Sequence, residues 1–198
     1  MGTLTTIFST PPLMVEKYSG DVKTLEEYAE SISYHDNQNS YASDNTFVMN
    51  DDVFTDLKIF AEKCIEEYTI NVFNSNHKFA ITQSWITKND FGQSIDIHSH
   101  PGSIISGVFY INLPKDSGCI EFNRGKSVFE IQINKDCSNP WMSDRYRVFA
   151  ETGYLLLFPS NMLHSVKMNN VNQTRYSLAF NSFPTIPVGD IDMLTYLY

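Results

Sequence analysis

From Phe79 onward the chain changes its hydrophobic period, and that change constrains the fold more than any other feature. Upstream, apolar residues recur at helical spacing; downstream, they gather in short runs broken by Gly, Pro, Asn and Asp. Val22, Leu25, Ala29 and Ile32 predict one helix, opened by the capping-box pattern Thr24-Leu25-Glu26-Glu27. Val53, Leu57, Phe60, Ala61, Cys64, Ile65 and Tyr68 form a broad apolar stripe and predict a second helix packed on a sheet. Residues 36–52, rich in Asn, Ser and Asp, read as a loop. Beyond Phe79, strands are expected near 79–87, 95–99, 104–113, 118–123, 127–133, 146–150, 153–158, 164–168 and 174–182. Helices first and many short strands after indicate an α+β, mainly β chain: a sandwich or jelly roll with N-terminal helices on one sheet face. No linker or repeat divides the sequence. Residues 1–198 are therefore expected to form one domain, with 1–78 as helical support and 79–198 as the jelly-roll core.

Composition narrows the function classes. A chain of 198 residues that is 42% hydrophobic can bury a sizeable core, and 14 Phe with 11 Tyr argue against disorder. A net charge of −9 with no Lys/Arg-rich stripe argues against general nucleic-acid binding. No apolar run approaches the roughly 20 residues of a membrane span, and Met1-Gly2-Thr3-Leu4 lacks the basic start of a secretion signal. Cys64, Cys119 and Cys137 are scattered and odd in number, which suits a reducing, cytoplasmic setting. A homodimer is compatible with all of this.

Four features carry chemistry. His98-Ser99-His100 places two imidazoles at i and i+2, so on an extended chain both point the same way, as neutral ligands for one metal ion. Tyr110 lies in Val108-Phe109-Tyr110-Ile111-Asn112. His164 follows the strand at 154–158 and the turn Pro159-Ser160. Arg175-Tyr176-Ser177 comes eleven positions beyond His164, and Arg175 shares a strand face with Ser177. An Arg inside an otherwise apolar strand suggests a buried anion, since a guanidinium is a permanently charged fork that matches a carboxylate. Each feature also has a plain reading: Tyr110 as a core aromatic, Arg175 in a surface ion pair, His164 as a satisfied core histidine. His35 and His77 sit in polar contexts and read as surface residues. Asn112 and Asn181 read either as inward residues on pocket strands or as simple caps of a strand end. The stretch 124–147, with Arg124, Lys126, Trp141, Arg145 and Arg147, reads as a substrate-selecting loop in which Trp141 either stacks on substrate or tucks against the fold.

In this order, the residues resemble the Fe(II)/2-oxoglutarate-dependent oxygenases, and within them a bacterial and phage group. That group's H-x-H-P, S-G-v-Y-Y, s-G-x-i-x-F, F-P-S-x-x-x-H and R-x-S-x-x-F-N are similar to residues 98–101, 106–110, 117–122, 158–164 and 175–181 here, and its usual opening to Ile7-Phe8-Ser9-Thr10-Pro11. The resemblance implies a double-stranded β-helix with Fe(II) at one mouth of the barrel. His98, His100 and His164 stand at the metal-ligand positions. Tyr110, Arg175 and Ser177 stand where related enzymes hold the far carboxylate of 2-oxoglutarate, O₂ being the second cosubstrate. The implied activity is hydroxylase-type, on an unknown small molecule or side chain.

One departure matters: the usual ligand set is two histidines and a carboxylate, whereas His100 stands at the carboxylate's place. Three readings follow. All three histidines bind, or Asp96 supplies the carboxylate, or iron has been lost. Asp96 and His100 cannot both join on an extended strand, where their Cα atoms lie about 13 Å apart. Two further readings drop the cosubstrate: a cupin-like three-histidine dioxygenase, and a non-catalytic metal-binding jelly roll.

Overall fold

A computed structural model of the chain describes residues 12–125 and 143–198. The strand expected at 127–133, together with Lys126, Cys137, Trp141 and the opening Ile7 to Pro11 motif, lies outside the described residues. Among those described, the order is β1 (Met14–Lys17), α1 (Val22–Ser31), β2 (Tyr34–Asn37), β3 (Ser40–Ser43), α2 (Thr55–Phe73), β4 (Phe79–Asn89), β5 (Ile95–His98), β6 (Ile105–Asn112), β7 (Ile120–Asn123), β8 (Arg145–Val148), β9 (Tyr154–Pro159), β10 (Leu163–Val166) and β11 (Arg175–Pro184). Two antiparallel sheets result. The larger runs β1-β9-β6-β11-β4-β3-β2 and the smaller β5-β10-β7-β8. This is the mainly β jelly roll that the strand spacing predicts. No helix among the described residues is long and apolar enough to cross a membrane.

The large sheet is covered on both faces, which explains the nearly unbroken apolar run of β6. Ile105, Phe109 and Ile111 face outward and join Leu155, Leu157, Leu178 and Phe180 under Leu25, Ala29, Leu57, Ala61 and Ile65 of the two helices. The alternate positions face inward, where Tyr110, Leu156 and Phe158 meet Ile120 and Phe122 of the small sheet. Gly107 stands across from Phe180. A Cβ there would lie 2.2 Å from the Phe180 ring, so only glycine lets that ring lie over the strand.

Three local expectations are corrected. The cap of α1 is Asp21 rather than Thr24: its carboxylate accepts from the Lys23 and Thr24 amides at 2.9 and 3.3 Å and from the Thr24 hydroxyl at 2.6 Å. The supposed loop at 36–52 contains most of the β2–β3 hairpin, turned at Gln38 with φ of 55°, followed by two short 3₁₀ turns. β2 is an edge strand with little to bury, so it carries polar residues and lacks the apolar alternation that marks inner strands. For the same reason β1, which adds to the opposite edge beside β9, left no readable signal.

Candidate metal and cosubstrate site

The inner face of the small sheet sets the first half of the site. His98 ends β5 and stands directly across from His164 of β10. Facing residues of neighbouring strands leave the sheet on the same side, so both rings enter the barrel. His100 lies just past the strand end, tied down where its amide donates to the Ser160 carbonyl at 2.8 Å. Ser160 is itself held: its hydroxyl donates to Ser103 at 2.9 Å and accepts from Ser106 at 2.8 Å. Ring centroids are 4.3 Å apart for His98 and His164, 5.0 Å for His98 and His100, and 5.2 Å for His100 and His164. One nitrogen from each lies within 4.8 Å of the others, a cluster that can hold a metal ion.

The tautomers suit that task. Nδ1 of His98 is 2.8 Å from the Asp96 carbonyl, and Nδ1 of His164 is 2.8 Å from the Met162 carbonyl. A carbonyl can only accept, so each Nδ1 carries the proton and each Nε2 keeps a free lone pair. Asp96 therefore enters through its backbone. Its carboxylate is exposed and is not part of the cluster. Phe158 packs edge-on against His164 at 4.9 Å and Phe122 lies 6.1 Å away, while Trp85 of β4 stands 5.8 Å from His100. These aromatics bury the His164 ring and cover one side of His100, while His98 and His100 remain partly exposed.

Burial pushes the His100 imidazole down to about 4, with the His98 ring adding to the effect. Burial also pushes His164 down to about 3, against the opposing hydrogen bond to Met162. Both are neutral and ligand-ready at pH 7. In an unfolded chain these rings would titrate near 6.5. Between 6.5 and about 4 the unfolded state then binds more protons, and stability falls as pH drops, by up to about 1.4 kcal/mol per pH unit for each ring. Urea titrations of metal-free protein at pH 7.5, 6.0 and 5.0 should show this loss, with a shallower slope in His164→Asn; parallel slopes would refute it.

The second half of the site comes from the large sheet. Arg175, Ser177 and Asn181 of β11 point inward, while Tyr176, Leu178 and Phe180 face the helices. Tyr110 lies across from Ser177, and burial lifts its phenol well above the ordinary tyrosine value. Arg175 is 1% exposed. Its Nη1 donates to the Ser117 carbonyl at 2.7 Å and to the Lys167 carbonyl at 3.4 Å. Its Nη2 has no hydrogen-bond partner, and no carboxylate pairs with it, among the described residues. Burial lowers its pKa to about 10, so it remains a cation at neutral pH. Gly118, with φ of 97°, brings the 117–118 turn against the chain at Lys167: a Cβ would sit 2.6 Å from the Lys167 carbonyl.

Other singled-out residues fall elsewhere. Asn112 turns to the helices and donates to Glu26 at 2.5 Å, a correction to its inward reading; the register shift between Tyr176 and Ser177 explains it. Asn181 faces inward, its side-chain oxygen 2.8 Å from the Ser106 hydroxyl oxygen. Arg145, Arg147 and Lys167 surround the buried Glu121 at 3.9, 2.7 and 2.7 Å on the outer face of the small sheet. His35 is exposed beside Asp44 at 3.0 Å. Sequence reasoning missed Asn89 and Ser117, both buried beside Arg175, because polar residues at a strand end and in a turn look ordinary.

Comparison with known proteins bears on the fold and the family. No curated relative matches in sequence. The fold is similar to HygX from Streptomyces hygroscopicus, solved with nickel, 2-oxoglutarate and hygromycin B (13% identity, TM-score 0.65, covering 89% of this chain and 84% of that one). It is also similar to a prolyl-4-hydroxylase from Pseudomonas putida (13%, 0.57, 87% and 93%) and to a 2OG-Fe(II) oxygenase family protein from Burkholderia pseudomallei (13%, 0.58, 81% and 76%). Residues 83–181 match the family described as "Putative 2OG-Fe(II) oxygenase". That span runs from β4 through Asn181 and contains every imidazole and guanidinium of the site, and the chain belongs to this family of Fe(II)- and 2-oxoglutarate-dependent oxygenases.

Proposed function

We propose that the protein hydroxylates a small molecule or a side chain, holding Fe(II) on His98, His100 and His164 and the far carboxylate of 2-oxoglutarate on Arg175. One observation carries this reading above the others: the Arg175 guanidinium is buried at 1% exposure with an idle Nη2 and no carboxylate partner among the described residues. A buried, unpaired charge costs several kcal/mol, and a bound carboxylate removes that cost. Tyr110 and Ser177 flank the same face and supply hydroxyls to the anion. The family's Fe(II) and 2-oxoglutarate supply the oxidising chemistry, with O₂ taken up and succinate and CO₂ released. The protein's residues position and dry these groups.

Three neutral imidazoles fit a divalent ion, and the exposed Asp96 carboxylate argues against the alternative ligand set. A three-histidine dioxygenase without cosubstrate gives Arg175 no task. A structural metal site is closed by four protein ligands, and among the described residues three converge. Purified protein given Fe(II), 2-oxoglutarate and O₂ is expected to release succinate slowly without substrate. Addition of the true substrate should speed that release, and a prolyl peptide and hygromycin B are natural first trials. Absence of both succinate release and 2-oxoglutarate binding would overturn the reading.

A further inference from the structure

We infer that Asn89 and Ser117 complete the carboxylate pocket, so that the far end of 2-oxoglutarate is gripped by an Arg–Asn–Ser set that selects dicarboxylic over monocarboxylic 2-oxo acids. This rests on the cosubstrate reading above. Asn89 ends β4 and stands directly across from Arg175 in the ladder. Their Cβ atoms are therefore about 5 Å apart on one face. Asn89 is 0% exposed, yet neither its Oδ1 nor its Nδ2 has a partner among the described residues. Ser117, also 0% exposed, gives its carbonyl to Arg175 at 2.7 Å while its own hydroxyl has no partner among the described residues. Three orphaned polar groups thus collect around one guanidinium.

A nearby residue shows that this is not how the fold treats every buried asparagine. Asn169 is also 0% exposed and touches the same strand end, but its Nδ2 donates to the Asn89 and Gln173 carbonyls at 3.1 and 2.8 Å and its Oδ1 accepts from the Val171 amide at 3.1 Å. Asn169 is wired into its turn; Asn89 is idle. Buried polar groups are nearly always satisfied, and those that are not call for an explanation. A carboxylate has room for about four hydrogen bonds. Asn89 Nδ2, the Ser117 hydroxyl and Arg175 Nη2 supply three of these, leaving a place for a hydroxyl from the Tyr110 and Ser177 side, and the second Nη2 hydrogen can serve Asn89 Oδ1. A 2-oxo acid lacking the far carboxylate would leave all of them unpaired in the dry barrel, which is how a polar site rejects an apolar analogue.

The test compares Asn89→Leu and Ser117→Ala with the wild type, each loaded with Mn(II), by calorimetric titration of 2-oxoglutarate and of 2-oxobutanoate, together with thermal melting of the ligand-free proteins. Each variant should lose about ten- to a hundredfold in 2-oxoglutarate affinity, the effect of one hydrogen bond to a charged group, while 2-oxobutanoate binding stays unchanged. Ligand-free Asn89→Leu, near-isosteric and relieved of an unpaired amide, should melt at or above the wild-type temperature. A purely structural asparagine would lower it. Equal losses for both acids, or unchanged 2-oxoglutarate affinity in both variants, overturns the inference; should Asn89→Leu fail to fold, Ser117→Ala alone decides it. A wild type that does not bind 2-oxoglutarate removes the cosubstrate reading as well, whereas Arg175→Ala losing affinity while these two variants do not removes this inference alone.

Discussion

Arg175→Ala is expected to abolish 2-oxoglutarate-dependent succinate release and to weaken 2-oxoglutarate binding by more than about a hundredfold, while leaving metal binding intact. The magnitude follows from what is removed. Arg175 gives the carboxylate its charge and a charge-assisted hydrogen bond from the idle Nη2, and truncating one member of a buried charged pair costs about 2–5 kcal/mol, or roughly 30- to several thousandfold. Arg175→Lys should recover only part of this, because an ammonium offers a point charge without the fork. The same change has an opposite effect on the empty protein. Arg175→Met keeps most of the volume and deletes a charge with no counter-ion among the described residues, so ligand-free Arg175→Met should melt no lower than the wild type while losing all stabilisation by 2-oxoglutarate. Calorimetry and melting curves measure both. Loss of stability with cosubstrate binding intact would make Arg175 a structural residue, its carbonyl contacts to Ser117 and Lys167 being its purpose.

Two signals made much of this legible in the sequence. Alternation is local, so inner strands such as β6, β9 and β11 announce themselves by which positions are apolar, and the polar exceptions on them stand out. Arg175 is conspicuous because Tyr176, Leu178 and Phe180 around it are apolar and buried. The i, i+2 histidine pair is likewise a statement about one strand end. The arrival of His164 opposite His98 depends on the pairing of β10 with β5, which no local pattern encodes; only the order of motifs hinted at it. Asn89 and Ser117 were invisible for a different reason. Their significance lies in what they fail to bond, a property of the three-dimensional neighbourhood alone. Edge strands β1 and β2 went unread because pairing through backbone atoms makes no demand on side-chain type.

The remaining large effect concerns the ligand set itself. His164→Ala and His100→Ala are each expected to weaken Mn(II) or Fe(II) binding by more than about a hundredfold, beyond the 10–100-fold that losing an outer partner of a ligand costs. Asp96→Ala should change it by no more than about twofold, since the Asp96 carbonyl that fixes the His98 ring is untouched. The comparison decides between the two ligand sets: loss in Asp96→Ala with His100→Ala silent would restore the carboxylate version. Charge adds a second expectation. Three imidazoles leave a divalent ion its full double charge, where a carboxylate would halve it. A bound 2-oxo acid then supplies the missing negative charge, so metal and 2-oxoglutarate should each tighten the other's binding by the same factor. In Arg175→Ala that mutual gain should fall even though the metal alone still binds, because the cosubstrate loses its far anchor. Metal titrations with and without 2-oxoglutarate, in wild type and in Arg175→Ala, measure the coupling directly, and equal metal affinity in all four would show that cation and anion do not share one cavity.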